Sequence, residues 1–231
     1  MATVTQDLID AADQLDIQPR LQRWRSVTYC ALDAVWSIGA RYDAVVAPLV
    51  RRVAASFSDD HPLTTELNDP GRDPVPLAAF QQRFPDCDSL LEVVRNDQRT
   101  SPRGGILKAD AALRYGEVLL QNGIGDLAAA QSVLNDSEAT ARITAALRSV
   151  PGRGVRENYF WMLVGANTLV KPDRQVLKWL AEHGLVTSVD GGSAALTDLA
   201  EALSERRGTP VSPWELDNAI WRSVARSTAR Y

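Results

Sequence analysis

Leu147-Arg-Ser-Val-Pro-Gly-Arg-Gly-Val-Arg-Glu-Asn-Tyr-Phe-Trp-Met-Leu163 is the stretch on which the fold turns. An apolar helix runs up to Val150, Pro151 and Gly152 turn the chain, and Gly154 opens a second helix. Two glycines around a single residue let the backbone approach a ligand closely and adopt positive φ. The first N–H groups of the second helix lack intrahelical acceptors, and with the helix dipole they offer a site for a phosphate. Gly152, Gly154 and Val155 would present that backbone, while Arg153 at the tip and Arg156 in the first turn would add ionic contacts. A Pro-Gly turn between two packed helices needs the same residues, so the turn alone leaves both readings open.

Outward from this hairpin, helical periodicity dominates. Leu32, Val35, Trp36, Val45, Val46, Leu49, Val50 and Val53 recur at three- and four-residue steps across Thr28–Val53, with Pro48 dividing or kinking the helix. Similar patterns cover Leu77–Phe84, Ser89–Val94, Lys108–Gln121, Leu127–Leu134, Ser137–Arg148, Arg156–Val164, Arg174–His183, Ala194–Arg206 and Pro213–Arg226. Ser58–Pro76, dense in Asp and Pro, reads as a surface loop, and Leu185–Val189 alone has strand-like character. The expectation is an all-α chain. Its natural division puts residues 108–183, with the hairpin, in one lobe, and residues 1–107 plus 184–231 in the other.

Composition narrows the setting. The chain of 231 residues is 45% hydrophobic and 23% charged, as expected of a globular protein. Its apolar runs are too short for a transmembrane helix, and the acidic, amphipathic start lacks the features of a secretory signal. Two cysteines, Cys30 and Cys87, fit single thiols in a reducing compartment, so a cytoplasmic, nucleoid-associated monomer is expected. The formal net charge of −4 argues at first against a nucleic-acid partner. Between Arg142 and His183, however, the basic excess is +4, against −8 for the rest of the chain. A solvated basic face would give the same excess.

Val170-Lys-Pro-Asp-Arg-Gln-Val-Leu-Lys178 begins another helix, with Asp173 at its start. An acid there is ordinarily a cap. Asp173 also lies nineteen residues beyond Gly154, a distance that one short helix and a loop would fill, returning it beside the hairpin. Lys171, Arg174 and Lys178 add positive charge to the same segment.

The whole arrangement resembles the helix-hairpin-helix, Gly/Pro-rich, aspartate (HhH-GPD) superfamily of DNA glycosylases, to which endonuclease III, adenine glycosylases and alkylpurine glycosylases belong. Val150-Pro-Gly-Arg-Gly154 resembles its hairpin, and Asp173-Arg-Gln-Val-Leu-Lys178 its aspartate segment. Gly105-Ile-Leu-Lys-Ala-Asp110 is similar to the segment before the hairpin, and Ala31-Leu-Asp-Ala-Val-Trp-Ser-Ile-Gly-Ala40 to the early helix leading into the duplex-probing loop. The resemblance covers most of Thr28–Lys178. It implies a two-lobed helical fold with a DNA and base cleft between the lobes, Asp173 as the catalytic carboxylate, and double-stranded DNA as partner.

Departures from the family pattern narrow the chemistry. The lysine nucleophile of the bifunctional members is matched by Arg156, which stays protonated and cannot attack as an amine. The resemblance therefore implies a monofunctional enzyme that releases a base with water. Four cysteines for an iron–sulfur cluster are lacking. No cofactor is implied beyond room for a structural monovalent cation at the hairpin. Ile38 stands where the family places its wedge into the duplex. The extruded base needs aromatic or polar walls. Trp36, Tyr42, Tyr159, Phe160 and Trp161 are candidates for stacking, with Tyr29, Asp33 and Tyr42 for polar recognition, although aromatics at helical spacing ordinarily pack in a core. His61 beside Asp59 and Asp60 makes a poor metal site, and His183 before Gly184 reads as a helix end. A non-catalytic hairpin protein that binds DNA, and a helical interaction protein whose Pro-Gly turn is only a turn, are the rival readings.

Overall fold

Wherever apolar residues recur at helical spacing, a helix forms. The structure, a computed structural model, describes residues 4–66, 71–152, 156–166, 169–170 and 172–228. In chain order these contain α1 (Gln6–Asp13), β1 (Arg23–Trp24), α2 (Val27–Trp36), a π-helical turn (Tyr42–Val46), α3 (Ala47–Ser56) and β2 (Leu63–Thr64). They continue with α4 (Leu77–Arg83), α5 (Cys87–Val94), α6 (Lys108–Gln121), α7 (Leu127–Val133), α8 (Ser137–Leu147), α9 (Arg156–Val164), α10 (Arg174–Glu182), α11 (Val189–Arg207) and α12 (Pro213–Thr228). The protein is thus mainly helical. Among the described residues, no helix is long and apolar enough to cross a membrane.

Two compact units divide the chain: Leu21–Gly165 forms one, and Met1–Arg20 with Ala166–Tyr231 the other. This differs from the division expected at residues 107 and 183. Lys108 does not open a separate lobe, because α6 packs against α2, α4 and α5. The boundary after the hairpin falls at Gly165, ahead of the aspartate segment.

In the larger unit, α2 is the central post. All ten of its residues are buried, as a helix apolar on every side requires. It packs against α3, α4, α6 and α9. Pro48 stands in the first turn of α3, where its missing N–H costs nothing, so of the two expectations it is the division into separate helices that holds. Ser58–Pro76 is more than a surface loop. Leu63 and Thr64 pair antiparallel with Trp24 and Arg23, and Asp73 and Val75 are buried. The Asp73 carboxylate accepts from Val75 N at 3.0 Å, from Val27 N at 3.0 Å and from Leu127 N at 2.9 Å. Two of these donors open α2 and α7, so one side chain terminates two helices. Burial pushes its pKa up, against the lowering effect of those hydrogen bonds.

In the smaller unit, α10, α11 and α12 enclose Val176, Leu180, Leu196, Leu199 and Ile220, and α1 closes the core with Leu8. Leu185–Ser188 has no regular secondary structure, so the strand expected there does not form. Ser188 accepts from Gly191 N and so starts α11 at Val189, earlier than periodicity indicates. Arg206 and Arg207 hold α1 to α11 through Asp10 and Asp13.

Asp73→Ala would orphan three buried N–H groups. A loss of about 2–4 kcal/mol is expected at roughly 1 kcal/mol or more per donor, read by urea denaturation. A loss below about 1 kcal/mol would show that Asp73 does not fasten these helix starts.

Candidate functional site

The hairpin is entered from α8, whose last turns bury Ile143 and Leu147. Val150 is buried, Pro151 exposed, and Gly152 has φ +126°, a value that side chains with a Cβ resist. A Cβ there would also lie 2.9 Å from Arg156 Nη1 and 3.0 Å from Thr100 Cβ. Arg153, Gly154 and Val155, and Lys171 further on, lie outside the described residues.

Arg156 corrects the expectation of a surface contact. It is 2% exposed, and its guanidinium points back to the carbonyls that end α8. Nη2 donates to Val150 O at 2.9 Å and more weakly to Leu147 O at 3.5 Å, while Nη1 donates to Pro151 O at 3.3 Å. Nη2 also meets Glu157 Oε1 at 3.2 Å, and the group lies 5.1 Å from the centre of the Tyr115 ring. A side chain this deep cannot reach a phosphate. Instead it brings positive charge to the C-terminal end of a helix, where exposed carbonyls favour it. Among the described residues, no group of three His, Cys, Asp or Glu side chains could hold a metal ion.

Asp173 is the N-cap of α10. Its Oδ1 accepts from Gln175 N at 2.8 Å and Val176 N at 3.1 Å. Among the described residues Oδ2 accepts no hydrogen bond, and the side chain is half-buried. Arg174 and Lys178 are exposed on α10, four residues apart, and Lys178 pairs with Glu182 at 3.6 Å. The hairpin belongs to the larger unit and Asp173 to the smaller.

The aromatic candidates separate into two groups. Tyr29, Trp36, Phe160 and Trp161 are core residues, at most 1% exposed. Trp36 Nε1 donates to Asn96 Oδ1 at 2.8 Å, Trp161 Nε1 to Thr144 Oγ1 at 2.8 Å, and Tyr29 Oη to Asp59 Oδ2 at 2.8 Å. Each ring is enclosed and each polar tip is used, so none of the four offers a face to a base. Tyr42 and Tyr159 are half-buried and converge on Asp33. That carboxylate is fully buried, accepting from Trp24 Nε1 at 2.6 Å and Ser37 Oγ at 2.6 Å, with the two phenols close enough to feel its charge. Burial, with the Asp33 charge second, pushes both phenols well above the ordinary tyrosine range, so they remain donors. The site thus joins β1, α2, the π-helical turn and α9 around one acid.

Ile38 sits half-buried in the turn after α2. Lys108 fixes this turn from beneath: buried, its Nζ donates to Trp36 O at 2.9 Å, Ile38 O at 2.7 Å and Gln98 Oε1 at 3.2 Å.

Residues 3–225 match the model of a family described as a domain of unknown function, DUF8548. The chain belongs to that family. No curated protein and no solved structure matches it.

Trp24, Ser37 and Lys108 are site residues that the sequence pattern did not single out. One signal was available: Asp33 is the only acid in Val27–Trp36, a helix otherwise almost wholly apolar. Such an acid must find donors inside the fold. Trp24 and Ser37 have no comparable mark.

Arg156→Met would leave Glu157 buried without its ion-pair partner and the end of α8 without a donor. About 3–5 kcal/mol of stability is expected to be lost, read by denaturant titration, because breaking one side of a buried pair strands the other. Arg156→Met, Glu157→Gln should recover part of the loss. A single variant as stable as the wild type would return Arg156 to the list of surface cations.

Proposed function

We propose that this chain is a monofunctional DNA N-glycosylase with a two-lobed helix-hairpin-helix glycosylase fold, the two compact units being its lobes. It would hydrolyse the N-glycosidic bond of a damaged or modified base in duplex DNA. The observation that carries the reading is the pairing of Val150-Pro-Gly-Arg-Gly154 with Asp173 nineteen residues on, in a helical protein where Asp173 begins a helix. Support also comes from Gly152, whose φ of +126° suits a tight hairpin turn.

The chemistry follows from the residues. Water adds to C1′ of the sugar as the C1′–N bond breaks; the water loses a proton and the departing base gains one. Asp173 uses Oδ1 as a cap, and Oδ2 is the oxygen that would face the oxocarbenium-like sugar or orient and deprotonate the water. Arg156 has no part in covalent chemistry, since it is an arginine and buried. Hydrolysis without a lysine adduct leaves an abasic site. Tyr42 and Tyr159, beside Asp33, are the remaining aromatic candidates for contact with the base. Ile38, on the turn that Lys108 fastens, is the wedge candidate. The role would be base excision repair or removal of modified foreign bases.

A second reading, a hairpin protein that binds DNA without turnover, is favoured by the cap itself, which gives Asp173 a structural reason to exist. Asp173→Asn separates the two. Asparagine caps a helix about as well as aspartate, so stability should change by less than about 0.5 kcal/mol. Under the proposal, base release from duplexes that each carry one modified base, scored by alkali cleavage of abasic sites, falls at least about 100-fold while duplex affinity persists. Equal release by wild type and variant would remove Asp173 from the chemistry. Duplex binding with no release from any modified duplex would favour the second reading.

A further inference from the structure

A second basic segment is built against the hairpin. Between α5 and α6 the chain closes into a tight loop in which Arg99 pairs antiparallel with Leu107. Thr100 N donates to Ile106 O at 2.9 Å, Lys108 N to Gln98 O at 2.8 Å, and Arg99 Nη1 to Gly105 O at 2.8 Å. The arms touch so closely that a Cβ on Gly105 would lie 2.3 Å from Ser101 N. Thr100 seats this loop on the hairpin, since a Cβ on Gly152 would come within 3.0 Å of Thr100 Cβ and 3.1 Å of its Cγ2.

The loop is positive and exposed. Arg95, Arg99 and Arg103 all face solvent, and Asp97 is the one acid among residues 95–103. Among the described residues none of the three arginines forms a salt bridge, whereas Arg114, Arg206 and Arg207 do. Arg148, also exposed, follows the last turn of α8 four residues before Gly152. The bond from Arg99 to Gly105 O holds its guanidinium in place, reducing the entropy lost when it meets a ligand.

We propose that the loop at residues 99–105 and the hairpin at Gly152 form one basic ridge that binds the phosphate backbone of duplex DNA, with Arg99 and Arg103 each neutralising a phosphate. The inference rests on the DNA-binding part of the proposed function and adds a contact that the hairpin sequence does not contain. Such contacts fix position on a duplex without reading bases. Each phosphate neutralised also adds about 0.9 to the slope of log affinity against log salt.

Fluorescence anisotropy of the full chain with a labelled duplex across a salt series tests the ridge. Arg103→Gln and Arg99→Gln should each weaken binding about three- to tenfold and lower the salt slope by about 0.9. Arg114→Gln removes an equal charge from the ion pair with Asp110 and should leave the slope unchanged. Arg103 carries the decision if Arg99→Gln loosens the loop, because no side-chain bond of Arg103 within the described residues holds that loop together. A wild-type slope in Arg103→Gln, with the wild type binding duplex, overturns the ridge and leaves the proposed function standing. Tighter binding to single strands than to duplex overturns it as well. A wild type that binds no oligonucleotide sinks both.

Discussion

A buried carboxylate governs the larger unit. Asp33 has no exposed surface, and removing a charge from water costs several kcal/mol unless its oxygens are fully bonded. Trp24 on β1 and Ser37 beyond the end of α2 donate to it, while Tyr42 in the π-helical turn and Tyr159 on α9 lie within reach of its charge. No two of these lie on one element, so the acid draws four segments of the unit together. It also explains why β1, only two residues long, is kept: the short ribbon with Leu63 and Thr64 places the Trp24 indole on Asp33.

The same economy fixes α9, the helix that follows the hairpin. Arg156 binds its beginning to the end of α8, Trp161 binds its middle to Thr144, and Gln131 Nε2 donates to Val164 O at its end, at 3.0 Å. The cation at the end of α8 is thus covalently part of the chain. The arginine that cannot act as a nucleophile therefore has a structural task at that position.

Helices were legible in the sequence because apolar spacing reports the face that must be buried, and α6 and α9 run over the very residues that spacing indicates. Burial of single charged residues was not. Arg156 in a first turn and Asp73 in a Pro- and Asp-rich loop look like surface residues. Only the neighbouring chain shows that one meets the carbonyls of α8 and the other the first N–H groups of α2 and α7. The division into units was hidden for a related reason. Lys108 opens a helix at the expected place, yet its side chain reaches carbonyls some seventy residues earlier and ties that helix to α2. Asp33 lay between these cases: visible as an odd acid in an apolar helix, with donors that no spacing could identify.

Asp173 joins the structural and chemical readings that its position first set against each other. A cap needs one oxygen, and both N–H bonds at the start of α10 go to Oδ1. With those bonds in place the carboxylate plane cannot turn freely, so the direction of Oδ2 is set by α10 before any ligand arrives. A carboxylate in solution would have to lose rotational freedom to orient a water; one already held as a cap has met that cost in folding. The cap gives Asp173 a structural reason to exist, and it is compatible with the proposed chemistry as well, since it uses only one of the two oxygens. Asparagine at residue 173 would keep the aim and lose the charge, which leaves the charge as the property that distinguishes turnover from binding.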